Sequence, residues 1–290
     1  FDYYGESAMD YSNFSTTVRW DHSLNSRLSS QVDAIISNYD YRLDSKQTSE
    51  ESGSMSYRLG QMILRSGFTW LPADKHKVEF GLDAVNYSLE PGTRFPLGES
   101  SEISPQTFEK ERAIEPSVYI SDEFAYSPRL VFSGGLRFTV FTSVGPETRF
   151  IYQSGTTHSV ENITDTVYFG KGSISKVYPG LEFRFSSRFI LATDLSVKAG
   201  IQRNFQYLNM ISNTISMSPT DVWKLSDQYI KPQRGDQISF GIYRNFRSKA
   251  IEASVEVYYK NLKNIMDYKG GATLLMNEHL ETDILGAKGK

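Results

Sequence analysis

The chain has no cysteine among its 290 residues, which excludes a disulfide framework and any thiolate metal site. It also lacks an apolar run of about 18 residues, the length a helix needs to cross a bilayer. Surplus charge is small, 31 Lys and Arg against 34 Asp and Glu for a formal −3. A nucleic-acid partner therefore has no electrostatic support. Only four histidines occur, and no Gly-x-Ser-x-Gly elbow, phosphate loop or His/carboxylate metal spacing accompanies them. Neither a cofactor nor a metal site is expected. The opening Phe1-Asp2-Tyr3-Tyr4 is not a basic and apolar export leader.

What the chain does have is alternation. In the first stretch Phe14, Thr16, Val18 and Trp20 interleave with Asn13, Ser15, Thr17 and Arg19, and period two puts each set on one face of a strand. The split recurs in Val78, Phe80, Leu82 and Ala84, in Leu130, Phe132, Leu136, Phe138 and Val140, and in Leu195, Val197, Ala199 and Ile201. Its cleanest form sets Ile251, Ala253, Val255, Val257 and Tyr259 against Glu252, Ser254, Glu256 and Lys260. Shorter versions bring the total to ten.

The links between these stretches alternate in length. Short links are read at Asp21–Ser26, Pro72–Lys77, Ser127–Arg129, Ser186–Ala192 and Arg247–Lys249; long ones at Asp44–Ser56, Pro91–Glu111, Ser143–Lys176, Tyr207–Asp236 and from Asn261 onward. A soluble sandwich has no reason to keep that rhythm through five hairpins. An antiparallel transmembrane β-barrel does, with short periplasmic turns and long extracellular loops. The fold class expected is all-β, a barrel fragment of about ten strands. Because the chain opens without a leader and stops just where another strand ought to begin, it reads as an internal piece of a longer protein.

Aromatic rings concentrate at the two membrane–water boundaries. Trp20, Trp70, Phe124, Phe185 and Phe246 each close the apolar face of a strand running to a tight turn, and are assigned to a periplasmic aromatic girdle. Asp122 and Arg244 break the apolar pattern two residues before a girdle aromatic, where an outward charge costs only about 0–1 kcal/mol. Glu79, Asp83, Glu123, Arg137, Glu182, Arg184, Glu252, Glu256 and Lys260 fall on the wet face; opposite charges there are expected to pair across strands. Size alone would also suit an outer-membrane hydrolase. The one local pairing for it sets His158 near Glu161 or Asp165, a spacing common in solvated loops, so no catalytic residue is assigned.

Several stretches resemble the barrel of TonB-dependent outer-membrane receptors. In Ser117–Phe138, Tyr119, Asp122 and Glu123 match the strand before a proline-bearing turn, and Gly135, Leu136 and Arg137 match the strand after it. Lys176–Glu182, Trp223–Gln233 leading into Gly241–Phe246, and Glu256–Lys260 followed by Asp267–Ala272 are similar to further segments. The resemblance covers most of the chain from Tyr57 onward. It implies a bacterial outer-membrane importer of scarce bulky solutes such as siderophore–metal chelates, cobalamin or glycans. It also implies partners: membrane lipid, a plug domain of the same full-length chain, and the TonB energy-transducing complex. Residues 1–290 are then a partial barrel without plug, signal peptide or C-terminal strands.

Ligand contact is expected in the Tyr207–Asp236 loop, which combines length with Tyr207, Trp223, Tyr229, Lys231 and Arg234, a set suited to an anionic or ring-bearing small molecule or glycan. The same rings could instead pack their own loop. A passive porin-type channel is the alternative with the same strands, and a soluble adhesin is a third class.

Overall fold

The computed structural model describes residues 6–46, 50–211, 222–246, 251–270 and 277–290. Their alternating sequence becomes one antiparallel meander in which each strand pairs with the next. The long strands are β1 (Glu6–Asn25), β2 (Leu28–Lys46), β3 (Gly53–Ala73) and β4 (His76–Pro96), then β6 (Glu111–Ser127), β7 (Leu130–Val144), β10 (Ile174–Ala192), β11 (Leu195–Gln206), β14 (Gln233–Phe246) and β15 (Ile251–Tyr268). A two-residue β5 (Gln106–Thr107) adds to β4. These are the ten expected strands. An eleventh, β16 (Ile284–Gly289), follows a single helical turn, α1 (Leu280–Asp283), and pairs with β15. Among the described residues the sheet is open, with β1 and β16 as its edges.

Tight turns occupy residues 26–27, 74–75, 128–129 and 193–194. The last corrects the Ser186–Ala192 link: Ser186, Ser187 and Arg188 look turn-like in composition, yet they pair in register with β7 and β11. The Arg247–Lys249 link lies outside the described residues, although Phe246 and Ile251 on either side of it are register partners. The connection read from Asn261 onward begins later, after Tyr268 at the end of β15. Asn264 takes a left-handed φ of 57° at a register shift between Lys263 and Ile265, and the strand continues past it. Asparagine tolerates that conformation better than most residues.

Two long connections carry hairpins of their own. Within Ser143–Lys176, β8 (Glu147–Tyr152) pairs with β9 (Ile163–Phe169); within Tyr207–Asp236, β12 (Leu208–Ile211) pairs with β13 (Val222–Leu225). A long connection with internal hydrogen bonds leaves fewer backbone groups to satisfy elsewhere.

Register fixes the two faces. Trp20, Val32, Ser66, Leu82, Val118, Phe138 and Leu181 are successive cross-strand partners, and the large apolar members from Leu82 to Leu181 are exposed. One position away, Arg19, Asp33, Arg65, Asp83, Ser117, Thr139 and Gly180 form the parallel row on the other face. A one-residue slip would exchange these rows. The first row is the lipid face and the second the lumen wall.

Near the tight turns that lumen wall is charged and paired. Arg19 Nε donates to Asp33 at 2.7 Å, Arg137 reaches Asp83 at 2.5 Å and lies 3.7 Å from Glu182. Tyr119 lies back over two glycines, since a Cβ at Gly81 or Gly67 would meet its Oη at 2.8 or 2.9 Å. Toward the long connections the same face turns aromatic, a change the alternation alone did not reveal. Tyr41, Tyr57, Tyr87, Leu89, Ala113, Phe141, Tyr207 and Leu225 form a buried cluster. Tyr41 stacks on Tyr57 at 5.3 Å and Phe141 on Tyr207 at 4.8 Å, arrangements worth about 0.5–1.5 kcal/mol each beyond area burial.

Val255 is outward and 70% exposed, while Ser254 pairs with Tyr243 on the lumen face. In the intact barrel Val255→Arg should lower the assembled fraction, because a lipid-facing Arg at the midplane costs about 2–4 kcal/mol. Ser254→Arg should assemble normally. Heat-modifiable mobility on gels measures both, and equal assembly of the two variants would reverse the face assignment.

Candidate functional site

The long-connection end holds a cleft of about 400 Å³. Its walls come from four separate places in the sequence: the link before β6, the β7–β8 junction, β13 with the residues after it, and the residues around the start of α1. Loops meet there because the β12–β13 hairpin folds inward over the aromatic cluster. Tyr57 Oη donates to the Trp223 carbonyl at 3.2 Å and accepts from the Trp223 N–H at 3.1 Å. Tyr178 Oη donates to the Asp227 carbonyl at 2.6 Å.

A half-buried ionic cluster fastens the hairpin. Lys224 Nζ donates to Glu111 Oε1 at 2.5 Å and lies 3.3 Å from Asp227, and the Leu225 N–H donates to the other Glu111 oxygen at 3.1 Å. Burial pushes the Glu111 carboxyl above its ordinary range, against the pull of Lys224. Burial acts against the Lys224 ammonium as well, but the charges of Glu111 and Asp227 outweigh it and hold the group protonated, above its ordinary value.

The five residues expected to contact ligand are not brought together. Tyr207 is 4% exposed and belongs to the core, its ring against Phe141. Trp223 packs on the edge of that core and Tyr229 stands in another part of the cleft wall. Tyr229 Oη donates to the Phe150 carbonyl, and its ring meets Tyr152 at 5.7 Å and His158 at 5.0 Å. Arg234 is held by Asp236 at 2.6 Å, and Lys231 is exposed. Arg234, like the nearby Lys224, is thus paired with a carboxylate, which leaves Lys231 as the exposed one of the two expected cations.

Other cleft residues escaped the sequence reading. Glu109 accepts from the Thr148 N–H at 2.8 Å, Arg149 pairs with Glu147 at 2.7 Å, and Glu281 accepts from Tyr152 Oη at 2.6 Å. Glu111 and Lys224 are 113 positions apart, so no local spacing signals their contact. His158 stacks on Tyr152 at 4.5 Å. Among the described residues it makes no hydrogen bond to Glu161 or Asp165.

The five girdle aromatics all face outward. Trp20 stacks on His22 and Phe124 on His76, at 5.5 and 4.4 Å. Phe185 sits deeper in its strand, with Phe189 and Leu191 between it and the turn at 193–194. The two outward charges have neighbours near the tight turns: His76 Nδ1 is 2.8 Å from Asp122, and Arg244 is 3.3 Å from Asp194.

An open antiparallel wall with a greasy outer face, a charged lumen and a loop-covered mouth is the wall of a transmembrane β-barrel. Residues 1–277 match the family described as TonB dependent receptor-like, beta-barrel, and the chain belongs to that family. Members are bacterial outer-membrane proteins, generally active importers of siderophores and similar solutes, and are not enzymes. No curated protein matches the chain. Solved structures with the same fold include the copper transporter OprC (TM-score 0.63, 14% identity, 90% of this chain and 41% of that one). Others are the ferric yersiniabactin uptake receptor FyuA from Yersinia pestis (0.57, 12%, 89% and 37%) and the closed form of the ferric-catecholate import receptor Fiu from E. coli K12 (0.56, 12%, 91% and 42%). The chain spans about two-fifths of the length of these structures.

Lys224→Met would strand the Glu111 carboxylate, and breaking a buried pair costs about 3–5 kcal/mol. Lys224 and Glu111 each keep 19% side-chain exposure, which places the loss near the lower end. The β12–β13 hairpin should detach and become open to protease in the folded receptor. Glu111→Gln combined with Lys224→Met should restore much of the protection. Unchanged proteolysis in the single variant would show that the aromatic contacts alone hold the hairpin.

Proposed function

We propose that residues 1–290 are part of the barrel of an energised outer-membrane importer, contributing lumen wall and extracellular loops, with plug and remaining strands supplied by other parts of a longer chain. The observation that carries this reading is the inward fold of the β12–β13 hairpin over the lumen mouth in a family of importers. A freely open passive pore has no use for a mouth so covered. The cleft beside the hairpin is the ligand-gathering surface, with Trp223 and Tyr229 as its aromatic contacts and Tyr207 as the core ring that positions it; Lys231 and Arg234 stand outside its lining. Its solute is a bulky small molecule of the siderophore–metal, cobalamin or glycan kind. Two of the similar structures, Fiu and FyuA, are import receptors for ferric chelates, which fall in that range.

The lumen charges from Arg19 to Glu182 face the plug, and the energy comes from a TonB complex acting on it. Trp20, Trp70, Phe124 and Phe246 mark the periplasmic boundary of the lipid face, with Phe185 farther in.

Uptake of ferric siderophores, cobalamin and oligosaccharides by cells carrying the whole receptor should collapse with a protonophore or loss of TonB; uptake that survives both identifies a passive channel. For the solute that is taken up, Tyr229→Ala should weaken apparent affinity by about tenfold, equivalent to about 1.4 kcal/mol, at unchanged surface abundance. Unaltered affinity would return Tyr229 to a packing role.

A further inference from the structure

The cleft beside the hairpin carries negative charge that its own wall does not cancel. Three of its carboxylates are matched: Lys224 is shared by Glu111 and Asp227, and Arg149 lies on Glu147. The other three, Glu109, Glu278 and Glu281, have no cationic partner among the described residues. Of the two remaining cations in the lining, Lys110 is engaged by Glu90 at 2.6 Å, outside the cleft, and Arg112 has no ion pair among the described residues. The surplus is therefore acidic.

Two of the unmatched carboxylates are held in place and still able to accept. Glu109 uses Oε2 for the Thr148 N–H at 2.8 Å and Glu281 uses Oε1 for the Tyr152 hydroxyl at 2.6 Å, which leaves each with its other oxygen. Thr148 and Tyr152 are four residues apart on β8, roughly 13 Å at about 3.3 Å per residue. That span suits a bulky solute. A bare metal ion is a poor fit, since among the described residues no three acidic or histidine side chains converge on one point.

The rings in the wall favour the same sign of charge. Tyr229 spends its hydroxyl on the Phe150 carbonyl, so what it offers a solute is its ring, and Trp223, Phe108 and Phe150 line the cleft with it. Aromatic faces attract cations. Burial first, and then the Glu281 charge, holds the Tyr229 hydroxyl above its ordinary value. The carboxylate and the ring thus act on the same part of the cleft.

We infer that this cleft selects solutes that carry organic cations, ammonium or guanidinium groups, with Glu109, Glu278 and Glu281 pairing with them and the Tyr229 and Trp223 rings against the cationic part. The inference rests on reading the cleft as the ligand-gathering surface and adds the charge of what is gathered. An anionic solute, which the loop cations Lys231 and Arg234 suggested, meets unmatched carboxylates instead. Such a wall rejects as well as attracts.

The whole receptor, purified in detergent, is titrated with a ferric trihydroxamate chelate, a corrinoid and an oligosaccharide, each bearing one free primary amine, the same amine acetylated, or the same amine succinylated. For the scaffold that binds, the ammonium form should bind at least tenfold tighter than the acetylated form, with the succinylated form weakest. Glu109→Gln/Glu278→Gln/Glu281→Gln, in which glutamine keeps an acceptor for Thr148 and Tyr152, should narrow the preference to less than threefold. Binding by wild type that ignores the charge, or favours the succinylated form, overturns this inference and leaves the importer reading standing, whether or not the triple variant folds. An undiminished preference in a folded triple variant overturns the assignment to these carboxylates. Failure of all three scaffolds to bind in any form overturns the importer reading and this inference with it.

Discussion

Inside a bilayer every backbone N–H and C=O must find a protein partner, because no water is there to take one. The meander satisfies that demand strand by strand, and everything else in this chain follows from it. Register is unbroken through the central stretches of β1–β4 and the whole of β11 against β14, where hydrocarbon surrounds the wall. Shifts gather near strand ends, at Ser56/Arg58, Trp70/Ala73 and Lys263/Ile265. There water or other protein can absorb a misaligned pair.

Once pairing fixes register, each side chain has one of two fates, lipid or lumen. The lumen fate is itself divided by height. Near the tight turns, Arg19–Asp33 and Arg137–Asp83 are charge pairs in a wall that water or a polar partner can reach. Near the long connections, Tyr41, Tyr57, Tyr87 and Phe141 make the wall apolar and give an inward-folding hairpin something to pack on. The hairpin in turn buries Lys224 against Glu111. Desolvating two charges consumes much of the attraction between them, so the pair adds less net stability than its short distance suggests.

The outer face is divided by height too, with opposite consequences. Aromatics mark the turn side, where Trp20, His22, His76 and Phe124 stack in pairs beside the outward charges Asp122 and Arg244. Full charges of both signs, among them Asp40, Arg42 and Arg58, mark the loop side.

Alternation along the chain is a local property, dictated by the geometry of a single strand, and so the residues themselves determined the strands, their two faces and most of the hairpin order. They were read wrongly at Ser186–Ala192, where small polar residues stay paired between neighbours, and past Asn261, where one left-handed asparagine lets a strand continue. The split of each face by height needed register, which ties positions dozens of residues apart. The cleft needed still more: Glu109, Glu147, Lys224, Tyr229 and Glu281 belong to connections that meet only because the wall curves and the hairpin folds inward. Side chains such as Tyr207 and Lys224 have no fixed meaning in a loop read by itself. Their burial and their partners, Phe141 and Glu111, are set by tertiary contacts across the sheet.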